Sequence, residues 1–204
     1  MCYWVRRSFN KYIRELLLMC GTMVLEREMT MDISRAKKII IIAAVSQNGV
    51  IGLNGGMPWN LSADLKRFKD FTIGRSIIMG GRTMRGILGS KGKPLPNRQN
   101  IVLTRYPNLS DWRKHNLTVA RSVEESLELA KSDDIYICGG SQIYSIFLDV
   151  ADEMKMTEVL ADIPGDTFFP KWNKDYWRIK YQKLIPAGPK DEYETKFIIY
   201  RRKW

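Results

Sequence analysis

The run Ile39-Ile40-Ile41-Ile42-Ala43-Ala44-Val45 decides the fold class of this chain. An unbroken apolar series, rich in β-branched side chains, is typical of a strand that is buried on both faces. Strands of this kind belong to sheets that carry helices on both sides. The run therefore predicts an α/β protein with a mostly parallel sheet.

Strand and helix patterns alternate along the rest of the chain. We predict further strands at Ser76–Met79, Asn100–Thr104, Leu117–Ala120, Ile135–Cys138 and Glu153–Ala161, and an antiparallel pair at Trp177–Leu184 and Tyr193–Arg202. We predict helices after Asn60 and at Thr83–Leu88, Ser122–Lys131 and Ser141–Leu148. This order favours one three-layer αβα domain over residues 38–204, with a mixed, mostly parallel central sheet and a C-terminal antiparallel hairpin.

Residues 1–37 differ from the remainder and are interpreted as an N-terminal extension. Basic residues precede an uncharged run, Leu16–Leu25, which resembles a weak targeting segment but is too short to span a bilayer. The acidic residues Glu15, Glu26 and Glu28 weaken an organellar transit interpretation. We favour an over-extended start, with Met29 or Met31 as the true first residue, or a non-essential extension.

The composition disfavours several classes of site. With one histidine, His115, and three widely spaced cysteines, neither a Ser-His-Asp triad nor a metal site is indicated. The odd number of cysteines favours a reducing cytoplasm. The net charge of +11 suits a small polyanion or a nucleic acid. No Lys/Arg-rich block or zinc-finger spacing favours the nucleic acid.

Asp64 falls on the apolar stripe of its predicted helix. It shares that stripe with Leu61, Leu65, Phe68 and Phe71 or Thr72, whereas Lys66, Arg67, Lys69 and Asp70 are predicted to take the other face. A charge on an apolar face must be paired, neutralised or used, so Asp64 is a candidate for chemistry. Alone, it equally fits a first-turn carboxylate that interacts with the helix dipole.

Two predicted strands end in paired glycines that lead into helices, Gly80-Gly81 and Gly139-Gly140. Glycine lets backbone N–H groups approach a phosphate closely, and a helix N-terminus favours negative charge. Ligands of open α/β sheets bind at the carboxyl ends of the strands. Arg82, Thr83, Thr104 and Arg105 follow strand ends and suit phosphate oxygens. The stiff turn Pro94-Leu95-Pro96-Asn97-Arg98 presents a guanidinium that suits a carboxylate.

A longer series of motifs extends these observations. It comprises Ile42-Ala43-Ala44, Gly49-Val50-Ile51-Gly52, Met57-Pro58-Trp59-Asn60-Leu61, Asp64, Phe68, Thr72, Ile78-Met79-Gly80, Pro94–Arg98, Asn100, Gly139-Gly140, Tyr144, Thr157 and Gly165-Asp166-Thr167. In order and spacing this series resembles the dihydrofolate reductase family. The resemblance covers residues 38–204 and implies that family's fold.

The resemblance implies NADPH-dependent reduction of 7,8-dihydrofolate to 5,6,7,8-tetrahydrofolate, which supplies one-carbon metabolism. Asp64, Trp59 and Thr157 would be the catalytic residues. Asp64 would form hydrogen bonds with the pterin 2-amino and N3 groups. It would also support protonation at N5 through water, while NADPH delivers hydride to C6. Thr157 would bond Asp64 and the pterin, and Trp59 would position a water. A single carboxylate in an apolar pocket should, on physical grounds alone, have a raised pKa.

The resemblance also implies two sets of binding residues. The substrate would contact Ile42, Ala43, Asp64, Leu65, Phe68, Ile87, Leu95, Arg98, Cys138 and Thr157. Ile42 and Cys138 would offer backbone carbonyls, Arg98 would clamp the glutamate α-carboxylate, and Leu65, Phe68, Ile87 and Leu95 would wall the aminobenzoyl group. NADPH would contact Ala44, Ile51, Gly52, Met57, Gly80, Gly81, Arg82, Thr83, Leu103, Thr104, Arg105, Cys138, Gly139, Gly140, Ser141, Gln142, Ile143, Tyr144 and Thr167.

The resemblance also has implications for Gly81 and for the loop from Gly49 to Met57. Gly81 stands where many relatives carry a basic residue for the 2′-phosphate, so Arg82 and Arg105 would take over that role. The glycine-rich loop from Gly49 to Met57 would close over the nicotinamide.

The expected partners are dihydrofolate, NADPH and antifolates such as methotrexate or trimethoprim, bound by a cytoplasmic monomer that needs neither nucleic acid nor membrane. Two alternatives stay open. One is a pyrimidine reductase of the riboflavin pathway, which would share the fold and NADPH. The other is a non-catalytic basic module that binds nucleotides or nucleic acid, which would need exposed basic and aromatic clusters.

Overall fold

The computed structural model describes residues 37–105, 112 and 114–203. The predicted N-terminal extension lies outside the described residues, apart from Lys37. Residues Lys38–Trp204 form one compact unit.

An eight-stranded sheet forms the centre of this unit. Its strands are β1 (Lys38–Ser46), β3 (Ser76–Gly80), β4 (Gln99–Leu103), β5 (Thr118–Ala120), β6 (Asp134–Ile137), β7 (Glu153–Val159), β9 (Trp177–Ile185) and β10 (Thr195–Arg202). They follow the order β5-β4-β3-β6-β1-β7-β10-β9 across the sheet. All pairings from β5 to β7 are parallel, and β10 runs antiparallel to both β7 and β9. The predicted mixed sheet with its C-terminal hairpin is confirmed.

Four α-helices cover the sheet within the described part of the chain. They are α1 (Ser62–Thr72), α2 (Gly81–Lys91), α3 (Val123–Glu128) and α4 (Ser141–Leu148), and a short 3-10 turn spans Lys174–Tyr176. No described helix is long and apolar enough to cross a membrane. The helix α3 is shorter than predicted. Its cap is half of a capping box, because Glu125 N–H donates to Ser122 Oγ but the Glu125 carboxylate accepts from Arg121 N–H instead of Ser122 N–H.

The strand β1 confirms the interpretation of the isoleucine run. Ile39 and Ile41 pack in a cluster with residues of α4, whereas Ile40 and Ile42 pack in a second cluster with residues of α1 and α2. Because side chains alternate along a strand, a strand between two helical layers needs apolar residues at every position. The run from Ile39 to Ala43 is accordingly buried throughout.

A second, two-stranded sheet was not predicted. β2 (Val50–Gly52) pairs antiparallel with β8 (Thr167–Phe168). Gly165 lies beside this sheet, and a Cβ there would clash with a Val50 methyl group. Only glycine fits that position, so the chain can run tightly past β2. The glycine-rich segment predicted as a loop is therefore anchored by a strand.

Candidate active site

Asp64, Thr157 and Arg67 form one hydrogen-bonded group at the start of α1. The Thr157 hydroxyl on β7 donates to Asp64 Oδ1 at 2.6 Å. Arg67 Nη1, one turn further along α1, donates to the same oxygen at 3.3 Å and to Thr157 Oγ1 at 3.2 Å. No described residue donates to Asp64 Oδ2. The second oxygen of the carboxylate is thus available to an incoming donor.

Segments distant in sequence hold the first turn of α1. Its N-cap residue, Leu61, provides no side-chain cap. Instead, Ala63 N–H donates to Asp191 Oδ1 at 2.8 Å, and Ser62 N–H donates to the Lys190 carbonyl at 3.0 Å. The loop between β9 and β10 therefore supplies the helix cap, and Asp64 is held relative to the sheet edge.

The pKa of Asp64 is raised above the ordinary aspartate value. Burial of the carboxyl is the largest cause, and the Asp191 charge adds to it. The Thr157 hydrogen bond and the Arg67 charge act in the opposite direction without cancelling the effect of burial. The prediction of a raised pKa for this carboxyl is confirmed, and such a group can handle protons closer to neutral pH.

The prediction that Arg67 takes the solvent face of the helix is wrong. Its side chain is only 19% exposed, and its guanidinium lies 4.5 Å from the centroid of the Phe197 ring on β10. Arg67 is three residues from Asp64, so it borders the apolar stripe, and its long stem reaches across to the aromatic ring. Asp64 is therefore not the isolated carboxylate that the stripe indicated.

Two other predicted site residues, Trp59 and Ile42, are buried in the core. Trp59 is buried, and its indole Nε1 has no hydrogen-bond partner among the described residues. Ile42 carries a carbonyl that accepts a hydrogen bond from the Tyr144 hydroxyl at 2.8 Å. That carbonyl keeps one lone pair for a further donor. Burial raises the pKa of Tyr144, so its hydroxyl keeps its proton.

Most of the residues predicted to wall the substrate pack in one apolar cluster. Phe68 of α1, Ile87 of α2 and Leu95 pack, half-buried, in the same cluster as Ile42 and Cys138. Leu65 is the exception, with 49% of its surface exposed. The structure thus brings five of the predicted substrate residues together, and Leu65 lies open to solvent. Burial raises the pKa of the Cys138 thiol, which keeps it protonated and unreactive.

Arg98 is held by polar contacts on both sides. Its Nε donates to Thr72 Oγ1 and its Nη1 to the Pro96 carbonyl, both at 2.7 Å. Buried Asn100 donates its side-chain amide to the carbonyls of Leu95 and Arg98, which fixes the turn. The guanidinium lies 5.8 Å from the Phe68 ring centroid. This places a pre-oriented cation next to the apolar wall.

The two glycine turns meet at the carboxyl ends of neighbouring strands. Gly80 N–H donates to the Gly139 carbonyl at 2.8 Å, because β3 and β6 are adjacent and parallel. Gly139 has a φ of +108°, and a Cβ on Gly140 would come within 3.3 Å of Thr83 Oγ1. Neither α2 nor α4 has a side-chain cap at its N-terminus. Two sets of backbone N–H groups therefore converge at a point where they can donate hydrogen bonds to a bound anion.

The remaining predicted cofactor residues surround these turns or the β2 loop. Ala44, Leu103 and Ile143 are buried or half-buried, Arg82, Arg105 and Gln142 are exposed, and Gly52 packs against Thr167. Met57 is 55% exposed. The Asp166 carboxylate accepts from Asn54 N–H at 2.8 Å and from the Thr167 hydroxyl at 2.8 Å, which ties the loop to β8. A Cβ on Gly86 of α2 would lie 3.0 Å from the Gly55 carbonyl oxygen, so the loop lies against that helix.

The sequence reasoning missed Arg67 and Asp191. Arg67 had a usable signal, because position i+3 on a helix is a neighbour of position i. Asp191 had none, because it reaches Ala63 from 128 residues along the chain.

The comparisons with known proteins agree with this geometry. A family model described as dihydrofolate reductase matches residues 38–202. The chain is 36% identical to the type 3 dihydrofolate reductase of Salmonella typhimurium over 81% of its own length and 98% of the relative. It is 40% identical to the dihydrofolate reductase of Buchnera aphidicola subsp. Baizongia pistaciae, with coverage of 72% and 86%. A solved dihydrofolate reductase from Enterococcus faecalis, complexed with NADP(H) and RAB-propyl, is 32% identical with a TM-score of 0.75, covering 83% of this chain and 98% of that one.

Proposed function

This chain belongs to the dihydrofolate reductase family, and from that premise we propose that Asp64 is the carboxylate on which its reaction depends. The enzyme is an oxidoreductase that reduces 7,8-dihydrofolate to 5,6,7,8-tetrahydrofolate with NADPH. The observation that carries the proposal is the state of Asp64, which is largely buried, has a raised pKa and keeps one oxygen without a protein donor among the described residues.

The free Oδ2 of Asp64 gives the substrate its orientation. A pterin presents an amino group and a ring N–H side by side, and Oδ2 is the carboxylate oxygen that accepts from this pair of donors. The Ile42 carbonyl, with one lone pair left, accepts from the same ring edge. The buried, unpaired indole N–H of Trp59 supports a bound water beside the ring.

The net reaction adds a hydride at C6 and a proton at N5. Bound NADPH supplies the hydride. The protein residues orient C6, exclude bulk water and favour protonation at N5, because the negative charge of Asp64 lies next to the ring in a partly desolvated site.

The residues at the paired glycines fit a dinucleotide phosphate. The uncapped N-termini of α2 and α4 offer backbone N–H groups, and Thr83 lies at the contact between the two turns. We propose that Arg82 and Arg105, both exposed, compensate for Gly81 at the 2′-phosphate.

We further propose that residues 38–204 form the catalytic domain and that the enzyme works as a cytoplasmic monomer. The match of the family model to residues 38–202 supports the domain bounds. Methotrexate or trimethoprim would compete with dihydrofolate for the pocket beside Asp64.

The direct test is the fall in absorbance of NADPH on adding dihydrofolate to the full-length chain. We expect turnover that methotrexate abolishes. A protein that oxidises NADPH only with a riboflavin-pathway pyrimidine would be the same-fold alternative, and one that binds NADPH without turnover would be the silent module.

Arg98 provides a second, more local test. If its guanidinium clamps the glutamate tail, Arg98→Leu should raise the KM for dihydrofolate about 10–100-fold, the size of a lost charge-assisted hydrogen bond. The KM for NADPH should stay unchanged. Equal effects on both constants would remove Arg98 from the substrate site.

A further inference from the structure

Arg67 places a cation in direct contact with the carboxylate that the proposed function uses. Its Nη1 is within hydrogen-bond distance of both Asp64 Oδ1 and Thr157 Oγ1. In the described part of the chain it is the basic residue that forms an ion pair with Asp64. Nothing in the proposed reaction assigns this arginine a role.

We propose that Arg67 is a positioning residue that occupies Oδ1 of Asp64, leaves Oδ2 to the substrate and, by disfavouring a proton in the site, sets the upper pH limit of the reaction. This inference rests on the proposed function of Asp64.

The orientation follows from counting donors and acceptors. A threonine hydroxyl has one proton, and guanidinium nitrogens can only donate. Since Thr157 Oγ1 accepts from Arg67, its own proton is directed to Asp64 Oδ1. Arg67 and Thr157 therefore both occupy Oδ1, and Oδ2 is the oxygen left to a ligand.

The aromatic ring of Phe197 fixes the guanidinium. The Arg67 guanidinium carbon lies 4.5 Å from the ring centroid, and Phe197 stacks in turn on Phe71, with centroids 5.9 Å apart. A guanidinium on a ring face keeps its edge free to donate in the plane of its nitrogens. With the side chain 19% exposed, water screens its charge only in part.

The other groups that face Asp64 define the sign of the effect. On β7 the neighbour is the Thr157 hydroxyl, from the loop before β10 it is the Asp191 carboxylate, and on α4 it is Tyr144, whose raised pKa reflects Asp64 in part. Asp191 favours protonation of Asp64, whereas Arg67 disfavours it. Arg67 is thus the positive charge that offsets burial and Asp191.

Removing that charge should favour protons in the site. A cation beside Asp64 disfavours a proton both on the carboxyl and on N5 of a bound pterin. Without the Arg67 charge, these groups stay protonated to higher pH. Hydride transfer, which needs the proton at N5, then also continues to higher pH. The pH at which kcat/KM for dihydrofolate falls to half of its plateau should therefore move upward.

The experiment compares four forms of the full-length chain: wild type, Arg67→Gln, Arg67→Lys and Lys66→Leu. Gln keeps a hydrogen-bonding group without the charge, and Lys keeps the charge. Lys66 is an exposed neighbour on the same helix and serves as the matched control. The first measurement is kcat/KM for dihydrofolate against pH. The second is the ¹³C titration of the Asp64 carboxyl by NMR, which needs no turnover. If the Arg67→Gln protein does not fold, Arg67→Leu serves as the neutral variant.

We expect an upward shift of both midpoints in Arg67→Gln, a return towards wild type in Arg67→Lys and no shift in Lys66→Leu. Superimposable profiles of wild type and Arg67→Gln would overturn the proposal, as would an equal shift in Lys66→Leu. If wild type does not turn over dihydrofolate, the proposed function fails, and the carboxyl titration still decides whether Arg67 acts on Asp64.

Discussion

Asp64 and Glu153 are two largely buried carboxylates on the same side of the sheet, yet their protonation equilibria shift in opposite directions. Thr157, the partner of Asp64, and Glu153 occupy alternating positions of β7, so their side chains face the same helical layer. Lys155, between them, contacts the Phe71 ring of α1 with its ammonium 4.4 Å from the centroid.

The difference lies in how their oxygens are paired. Glu153 receives Lys155 Nζ on Oε1 and Lys38 Nζ on Oε2, each at 2.8 Å. Burial acts to raise its pKa, but these hydrogen bonds and charges lower it below the ordinary glutamate value. Asp64 receives both of its donors on one oxygen, the cation is further away at 3.3 Å, and burial prevails.

A contact with a cation therefore does not distinguish a structural carboxylate from a functional one. Each oxygen of Glu153 already accepts from an ammonium group within the protein. Asp64 keeps an oxygen to which no described residue donates, and a largely buried acceptor of this kind is destabilising unless a ligand satisfies it. The incomplete pairing is the feature that supports the proposed role of Asp64.

Activity should separate the two carboxylates most strongly. We expect Asp64→Asn to lower kcat/KM for dihydrofolate at neutral pH by about 10²–10⁴-fold, the usual contribution of a group that assists proton transfer. Glu153→Gln, its matched control, should change kcat/KM little at a temperature where the protein stays folded. Both are measured by NADPH oxidation, and comparable losses in the two variants would contradict the distinction.

Stability should depend on how Glu153 is paired. Lys155→Met leaves Glu153 buried with one cation fewer, and the free energy of unfolding in urea should fall by about 3 kcal/mol. Lys38, which is 33% exposed, should cost about 1 kcal/mol or less when changed to Met. Equal losses for the two lysines would show that Lys155 does not form the buried half of the network.

The elements of this comparison were predictable to different degrees. Strands β1, β3 and β7 and the glycine turns have local patterns, so the sheet, and the meeting of the two turns at one of its edges, could be predicted from the sequence. Asp64 was identified because a lone carboxylate interrupts an apolar stripe. The strands β2 and β8 are three and two residues long and exist only through pairing with each other. No local pattern is long enough to indicate them.

The contacts that set the pKa values of Asp64 and Glu153 were harder to predict from the sequence. The Arg67 side chain is placed by its contact with the Phe197 ring. The pairing of Glu153 depends on Lys38 of β1, which is 115 residues away. Such contacts depend on which strands become neighbours, and the order β1-β7-β10 is a property of the whole sheet. Residue type and spacing indicated where charge would be buried, but not how it would be paired.

The smallest expected effect is on the pH dependence of thermal stability, and it is specific to each carboxylate. Because the folded-state pKa of Asp64 is raised, the protonated carboxyl stabilises the fold below the unfolded-state pKa, and this contribution is lost as the pH rises through the folded-state value. An asparagine side chain carries no charge, so Asp64→Asn should melt about 2–4 °C above wild type at neutral pH, a gain of about 1 kcal/mol. The gain in melting temperature should shrink on acidification.

For Glu153 the pH dependence has the opposite sign. Because its folded-state pKa is lowered, the ionised carboxylate stabilises the fold above the unfolded-state pKa, and that contribution is lost on acidification. Glu153→Gln should therefore melt below wild type at neutral pH, and the deficit should narrow as the pH falls. Thermal melts of both variants across the acidic range measure these slopes, and slopes of the same sign would refute the assignment of one carboxylate to function and the other to structure.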